Sequence, residues 1–248
     1  MSIAGILTAA GSSQRFGQPK LLLPLGTQPV LAWAAQALRH PKITSYWITI
    51  PESLAAEFQP VLAEYLPEFI PVIGGETRAQ SIQNAIKEIE KINKYTKIVI
   101  HDAARPLAPR TVVESLVIAL ETYKAAVPGL VLADTIKQIN TQGEVLKTIP
   151  RETLRAIQTP QGFHLNTLSL AYNTLSPDQI AAATDEAALI EQLGHPIKVI
   201  PGSSQALKLT YPADLQILSQ WVSRETPSKV RLDYLLCHPR EDGDPGFA

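Results

Sequence analysis

The sequence predicts an α/β fold: a mainly parallel sheet flanked by helices, with a β-hairpin arm protruding from it. Three observations carry that expectation. Short apolar runs alternate with amphipathic segments, the rhythm of βαβ units around a parallel sheet. A polar, glycine-containing loop follows the first apolar run directly, at the strand end where open α/β sheets bind ligands. One stretch, 134–150, breaks the rhythm with two β-prone runs around Thr141-Gln142-Gly143.

Taken in order, residues 3–8 form a buried first strand and 9–20 the loop after it. Val30, Trp33, Ala34, Ala37 and Leu38 then recur at helical spacing and mark one apolar helix face. SYWITI at 45–50 reads as a strand, and Leu54, Phe58, Val61 and Leu62 mark a second helix. After Gly74-Gly75, the positions Ile82, Ala85, Ile86 and Ile89 mark a third, capped near Thr77. KIVIH at 97–101 and AAVPGLVLA at 125–133 are the next strands. The hairpin at 134–150 carries too few large apolar residues for its own core, so it should pack on something else. Helices follow near 164–175 and at 185–193, the latter closed by Gly194, with a strand at 197–200. The last helix starts after Tyr211, with Pro212 in its first turn and Asp214 at its positive end. Together these elements make a Rossmann-like α/β domain over 1–225, trailed by an irregular polar tail at 226–248.

The composition narrows the function. The chain is 45% hydrophobic and 18% charged over 248 residues, enough for a substantial core. A net charge of −1 supplies no global field for nucleic acid or anionic lipid, so any phosphate chemistry must rest on a local cluster of cations. The single cysteine, Cys237, excludes an internal disulfide and a cysteine-based zinc site and fits a reducing cytoplasm. No apolar run approaches the roughly eighteen residues of a membrane span. The opening MSIAGILTAAG lacks a basic flank and reads as a strand rather than a signal peptide.

Two segments carry chemistry. The loop AAGSSQRFGQPK at 9–20 combines small residues, which let backbone N–H groups approach phosphate oxygens, with the cations Arg15 and Lys20. It is not a Walker A loop, because five residues rather than four separate Gly11 from Gly17. It is not GxGxxG either, since Ser13 takes the second glycine position, which disfavours a dinucleotide-binding oxidoreductase. The second segment is HDAARP at 101–106, directly after a strand. Asp102 there can hold Mg²⁺ beside substrate phosphates; the bland alternative is a turn aspartate with Arg105 as its surface partner. His101 reads as a strand-end hydrogen-bonding residue rather than a metal ligand.

The order AAG…R-F-G…K, GGETRAQSIQNAI at 74–86, HDAARP, DTIK at 134–137, QTPQGF at 158–163, TDEAALIE at 184–191 and LKLTYPADL at 207–215 resembles the 2-C-methyl-D-erythritol 4-phosphate cytidylyltransferase family over about residues 3–220. HDAARP and QTPQ-x-F are the specific parts; many nucleotidyltransferases share the first loop. The resemblance implies a CTP site built from Ala9, Ala10 and Gly11, with Gly75 and Ser81 reading the cytosine edge. It makes Asp102 the Mg²⁺ ligand and sets Arg15 and Lys20 against charge on the α-phosphate. It assigns Arg151 and Lys208 to the acceptor phosphate and Arg105, Thr135 and Thr184 to acceptor binding. It also implies a homodimer paired through the arm at 134–150, each site borrowing arm residues from the partner chain.

Some wording departs from the family. Leu21-Leu22-Leu23 follows Lys20, and PKLLLPLG resembles molybdenum-cofactor cytidylyltransferases. Gln205-Ala206-Leu207 stands where Asp-Asn-Ile is common, which removes a polar group next to Lys208. The rival readings are therefore the same chemistry on another acceptor, such as ribitol 5-phosphate or the molybdenum cofactor, and a non-catalytic nucleotide-binding homologue.

Overall fold

The computed structural model describes residues 2–11 and 16–225, the side chains of 224 and 225 excepted. Arg15 and the tail at 226–248 lie outside the described residues.

The first strand, β1 (Ser2–Thr8), is buried along its interior because it sits mid-sheet with helices on both faces. Its alternation divides the side chains between two cores: Ile3 and Leu7 join one, Ala4 and Ile6 the other. A short ribbon, β2 (Pro24–Leu25) against β3 (Gln28–Pro29), leads into α1 (Val30–Leu38). Next come β4 (Ile43–Ile50), α2 (Ala55–Tyr65), β5 (Phe69–Ile73), α3 (Arg78–Glu90) and β6 (Tyr95–Asp102). Strands β5, β4, β1 and β6 lie side by side and parallel. Their carboxyl ends therefore face one edge of the sheet, and further hydrogen bonds gather the loops there: Ala9 N–H to Thr49 O at 2.9 Å, Gly74 N–H to Ile50 O at 2.9 Å and Ala103 N–H to Thr8 O at 3.0 Å.

Helix α3 begins with the expected cap. Thr77 Oγ1 accepts from Gln80 N–H while Gln80 Oε1 accepts from Thr77 N–H, a reciprocal box that satisfies two of the helix's orphan donors. Its buried stripe of Ile82, Ala85, Ile86 and Ile89 packs in the second core, each isoleucine contributing about 1.5–3 kcal/mol by burial.

The second half of the sheet is mixed. After α4 (Arg110–Ala119), β7 (Ala125–Val131) receives β10 (Arg155–Ile157) and β11 (Gln161–His164) antiparallel and β12 (Ile197–Pro201) parallel, while β11 also pairs with β6. Between β7 and β10, β8 (Ile136–Ile139) and β9 (Val145–Ile149) form a hairpin with a sheet of its own. Asn140 Oδ1 accepts from the N–H groups of Gln142 and Glu144 and shapes the turn, and Gly143 takes the left-handed φ of +83° that it requires. Ile139, Val145 and Leu146 on this hairpin are all more than half exposed. The remaining helices are α5 (Leu165–Thr174), α6 (Pro177–Ala182), α7 (Glu186–Gln192) and α8 (Pro212–Glu225). Helix α7 starts on an Asp185 cap and stops at Gly194, whose φ is +72°.

Several elements have no counterpart in the sequence expectations. Strand β5 contains Pro71, which reads against a strand but is tolerated here because β5 lies at the sheet edge. Helix α4 is rich in Thr, Val and Ile, which weaken helix propensity; burial of Val112, Val113, Leu116 and Val117 overrides it. Strands β10 and β11 are short and interrupted by Pro160, so neither shows a clear period.

Candidate active site

The loops at the carboxyl edge enclose a cavity of about 540 Å³. One wall is the first loop, from Thr8 through Ala9 and Ala10 to Gly11. The opposite wall is the α3 entry, with Gly75, Glu76, Thr77, Arg78 and Ser81. Lys20, Asp102 and Lys208 close the remaining side. Gly74 makes the two walls possible: a Cβ there would lie 2.4 Å from Ala10 Cβ and 2.9 Å from Ser81 Oγ. A volume of this size suits a nucleotide-sized ligand.

Asp102, the last residue of β6, is 6% exposed and is the hub of the site. Its Oδ1 accepts from Arg78 Nε at 3.1 Å and from Thr8 Oγ1 at 3.2 Å, and its Oδ2 accepts from Lys208 Nζ at 2.7 Å. Burial alone would raise its pKa; Arg78 and then Lys208 outweigh that and hold the carboxyl well below the usual range. Asp102 is therefore ionised at any working pH.

Arg78 reaches past Asp102 to a second carboxylate. Its Nη1 lies 2.9 Å and 2.7 Å from the two oxygens of Glu186, the first residue of α7. Glu186 is 2% exposed, and Tyr172 donates its hydroxyl to Glu186 Oε1 at 3.2 Å. Burial raises the Glu186 pKa and the Arg78 charge opposes it. Lys20 is set by the turn Lys20–Leu22, whose Leu21 drops into the first core, and its Nζ donates to Leu209 O at 2.7 Å.

His101 is fully buried behind the site. Nδ1 lies 3.1 Å from Thr159 Oγ1 and Nε2 lies 3.1 Å from the Arg105 carbonyl. The same Thr159 hydroxyl oxygen accepts from Asp102 N–H at 3.0 Å. Burial pushes the imidazole down to about 4, with Asp102 opposing and Arg105 assisting, so it is neutral and locks the loop that presents Asp102. This is the hydrogen-bonding role the sequence predicts for it.

The donor set fits a hard divalent cation held partly by substrate. Asp102 lines the cavity as a permanently ionised oxygen ligand. Among the described residues no cluster of three or more acidic, His or Cys side chains exists to bind a metal alone. Mg²⁺ is commonly held by one or two carboxylates with phosphate oxygens completing its shell.

The family model of 2-C-methyl-D-erythritol 4-phosphate cytidylyltransferase matches residues 3–224. The chain belongs to that family. A curated 2-C-methyl-D-erythritol 4-phosphate cytidylyltransferase of Frankia casuarinae is 37% identical over 231 residues, covering 91% of this chain and 83% of that protein. One from Gloeobacter violaceus is 39% identical, covering 86% and 92%. Among solved structures, the 4-diphosphocytidyl-2C-methyl-D-erythritol synthase of Anaerococcus prevotii superposes with a TM-score of 0.78 at 25% identity, covering 90% of this chain and 96% of that one.

Of the residues the cytidylyltransferase resemblance singles out, the structure brings Ala9, Ala10, Gly11, Lys20, Gly75, Ser81, Asp102 and Lys208 around one cavity. It does not bring Arg105, Thr135, Arg151 or Thr184 to its lining. Thr135, Arg151 and Thr184 are exposed; Arg151 sits after the hairpin and donates to Ala133 O. Arg105 turns away, donating from Nη1 to Ala206 O at 2.6 Å. The alternative of Arg105 as the partner of Asp102 is thus corrected: Arg78 and Lys208 hold that place. Ala206, where the family's common asparagine is missing, is buried against Ala37 and Ala108 and does not line the cavity.

Sequence reasoning singled out neither Arg78 nor Glu186. The available signal was an arginine immediately after the Thr77 cap and a glutamate immediately after the Asp185 cap, each placed at the start of a helix facing the sheet edge.

Proposed function

We propose that this chain transfers the cytidylyl group of CTP to 2-C-methyl-D-erythritol 4-phosphate, releasing pyrophosphate and serving isoprenoid precursor synthesis. The observation that carries the reading is the ionised Asp102 between Lys208 and Arg78, with Lys20 on the same cavity, in a chain of this family.

A phosphate oxygen of the acceptor attacks the α-phosphorus of CTP in line. The new O–P bond forms as the bond to the β-phosphate oxygen breaks, and pyrophosphate leaves with the electron pair. The attacking oxygen is already anionic at pH 7, so no general base is needed. The protein's work is positioning and electrostatic stabilisation. Lys20 and Arg15 offset charge growing around the α-phosphorus, and Lys208 exchanges Asp102 for a phosphate oxygen when substrate arrives. Asp102, together with phosphate oxygens of the substrate, would hold Mg²⁺, which would supply further charge neutralisation.

Base choice follows from the α3 entry. Gly75 N–H donates to Ser81 Oγ at 3.0 Å, and the Ser81 hydroxyl donates to Thr77 O at 2.8 Å. Both donors are engaged, and although the Ser81 hydroxyl also lies 3.5 Å from the Gly75 carbonyl, that oxygen has a second lone pair to accept from the cytosine amino group. Uracil presents a carbonyl at that position and would face acceptor against acceptor.

The exposed apolar residues of the β8–β9 hairpin support a homodimer in which the arm lies on the partner. In that assembly Thr135 and Arg151 act at the partner's acceptor site, and Thr184 serves the acceptor of its own chain, as does Arg105 once its guanidinium leaves the Ala206 carbonyl. Neither nucleic acid nor membrane is a partner in this reading. The single Cys237 fits a cytoplasmic reaction.

A nucleotide panel with Mg²⁺ and 2-C-methyl-D-erythritol 4-phosphate, scored by pyrophosphate release, tests the assignment. CTP should exceed UTP, ATP and GTP by at least ~100-fold in kcat/KM. Comparable rates with UTP or ATP would overturn it.

A further inference from the structure

Arg78 is shared by two carboxylates of different origin, Asp102 at the end of β6 and Glu186 at the start of α7. The second is the more deeply fixed. Glu186 is 2% exposed and receives the Tyr172 hydroxyl. The residue before it is anchored twice, Asp185 accepting from Ala188 N–H at 3.0 Å and from Gln161 Nε2 at 2.8 Å. Glu186 therefore does not follow Arg78; Arg78 is held where Glu186 puts it. Glu186 itself does not line the cavity and cannot touch substrate from its present place.

We infer that Glu186 is a positioning residue for the nucleotide step, acting through Arg78 to keep one oxygen of Asp102 available to a divalent cation. The inference rests on the nucleotide reading above. Glu186 binds the Nη1 edge of the guanidinium with both its oxygens, at 2.9 Å and 2.7 Å, and so restrains Arg78 to the Oδ1 side of Asp102 at 3.1 Å. Oδ2 is left to Lys208, whose side chain is 41% exposed and whose ammonium can swing away to phosphate. Without the Glu186 charge, Arg78 directs its whole positive charge to Asp102 and competes with the metal for it. A divalent cation should then bind less well, while the polyanionic nucleotide alone meets a more positive site.

Those opposite signs separate positioning from simple loss of structure. Isothermal titration of CTP into the full chain, without acceptor, is done in Mg²⁺ and again in EDTA. The readout is the ratio of Kd in EDTA to Kd in Mg²⁺. For Glu186→Gln the ratio should fall at least ~fivefold, with CTP binding in EDTA unchanged or tighter. An unchanged ratio, or parallel weakening in both buffers, would overturn the inference. If removal of one buried charge prevents folding, the pair Arg78→Gln and Arg78→Gln/Glu186→Gln decides, since the double variant removes both charges. Their ratios should agree within about twofold, because Glu186 acts through Arg78. A further drop in the double variant would contradict that route. A parent chain that binds no CTP in either buffer would overturn the functional reading itself, and the inference with it.

Discussion

Lys208 Nζ lies 2.7 Å from Asp102 Oδ2, joining the segment before α8 to the end of β6 across the cavity. The lysine side chain is 41% exposed and the aspartate side chain 9%, so the contact joins one solvent-exposed partner to one buried partner. An ion pair of that kind adds at most ~1 kcal/mol to stability. Its value lies in keeping a cation beside the place where phosphate charge arrives. Lys208→Met should therefore leave the thermal midpoint within a few degrees of the parent and lower kcat/KM by at least ~100-fold. A variant with both quantities near the parent would make Lys208 a solvated surface charge.

Lys20 tests the first loop. Its Nζ is held on Leu209 O, and Leu21 behind it is anchored in the core, so the ammonium is pre-placed. If it acts on charge that grows in the transition state, Lys20→Met should lower kcat by about 10²–10³, with CTP affinity changing by less than about tenfold. Single-turnover rates at saturating CTP measure this. A rate within about fivefold of the parent represents only ~1 kcal/mol and would remove Lys20 from the chemistry.

The buried imidazole gives a pH signature. His101 titrates at about 4 in the fold, against 6.5 when unfolded. The unfolded chain takes up this proton first, so the His101 contribution is complete above pH 6.5 and declines as pH falls toward 4. The loss is about 3 kcal/mol over that window. Asp102, whose pKa is lowered by Arg78 and Lys208 against burial, adds a decline of the same sign only below about 4. Glu186, raised by burial, contributes with the opposite sign above its ordinary pKa. Denaturant unfolding in EDTA across pH 4–7 should show a steeper decline in the parent than in His101→Gln. Parallel curves would contradict the neutral, buried assignment.

Gly74 tests the architecture of the pocket wall. A methyl group there would meet Ala10 Cβ at 2.4 Å and Ser81 Oγ at 2.9 Å, so either wall must shift. Gly74→Ala should cost roughly 1–3 kcal/mol of stability and raise the CTP KM by at least ~tenfold. Chemical denaturation and a CTP titration check the two effects separately. A normal KM would mean that the close approach of the walls is unimportant for nucleotide binding.

The parts legible in the sequence are those written in local chemistry. The Thr77 cap with its isoleucine stripe, the helix closed by Gly194, and the buried first strand all follow from short-range rules, and the structure has each in place. The first loop and Asp102 were legible for the same reason, because they stand at the carboxyl ends of strands; Gly75, Ser81 and Lys208 were reached only through the resemblance to the family. What escaped depends on tertiary neighbours. Nothing near Arg78 in the chain announces Glu186, which lies 108 residues away, and Asp102 looks toward Arg105 in sequence but pairs with Arg78 and Lys208 in space. Helix α4 and strand β5 were obscured by β-branched residues and by Pro71, whose preferences burial and an edge position override.

The identity of the reaction is most directly tested by following CTP, 2-C-methyl-D-erythritol 4-phosphate and Mg²⁺ with the purified chain by ³¹P NMR. The triphosphate signals should disappear together with the acceptor's phosphomonoester signal, while pyrophosphate and one coupled pair of diphosphate-diester resonances grow in equal amounts. Persistence of the phosphomonoester signal while CTP is consumed, or no consumption of CTP at all, would contradict that identity.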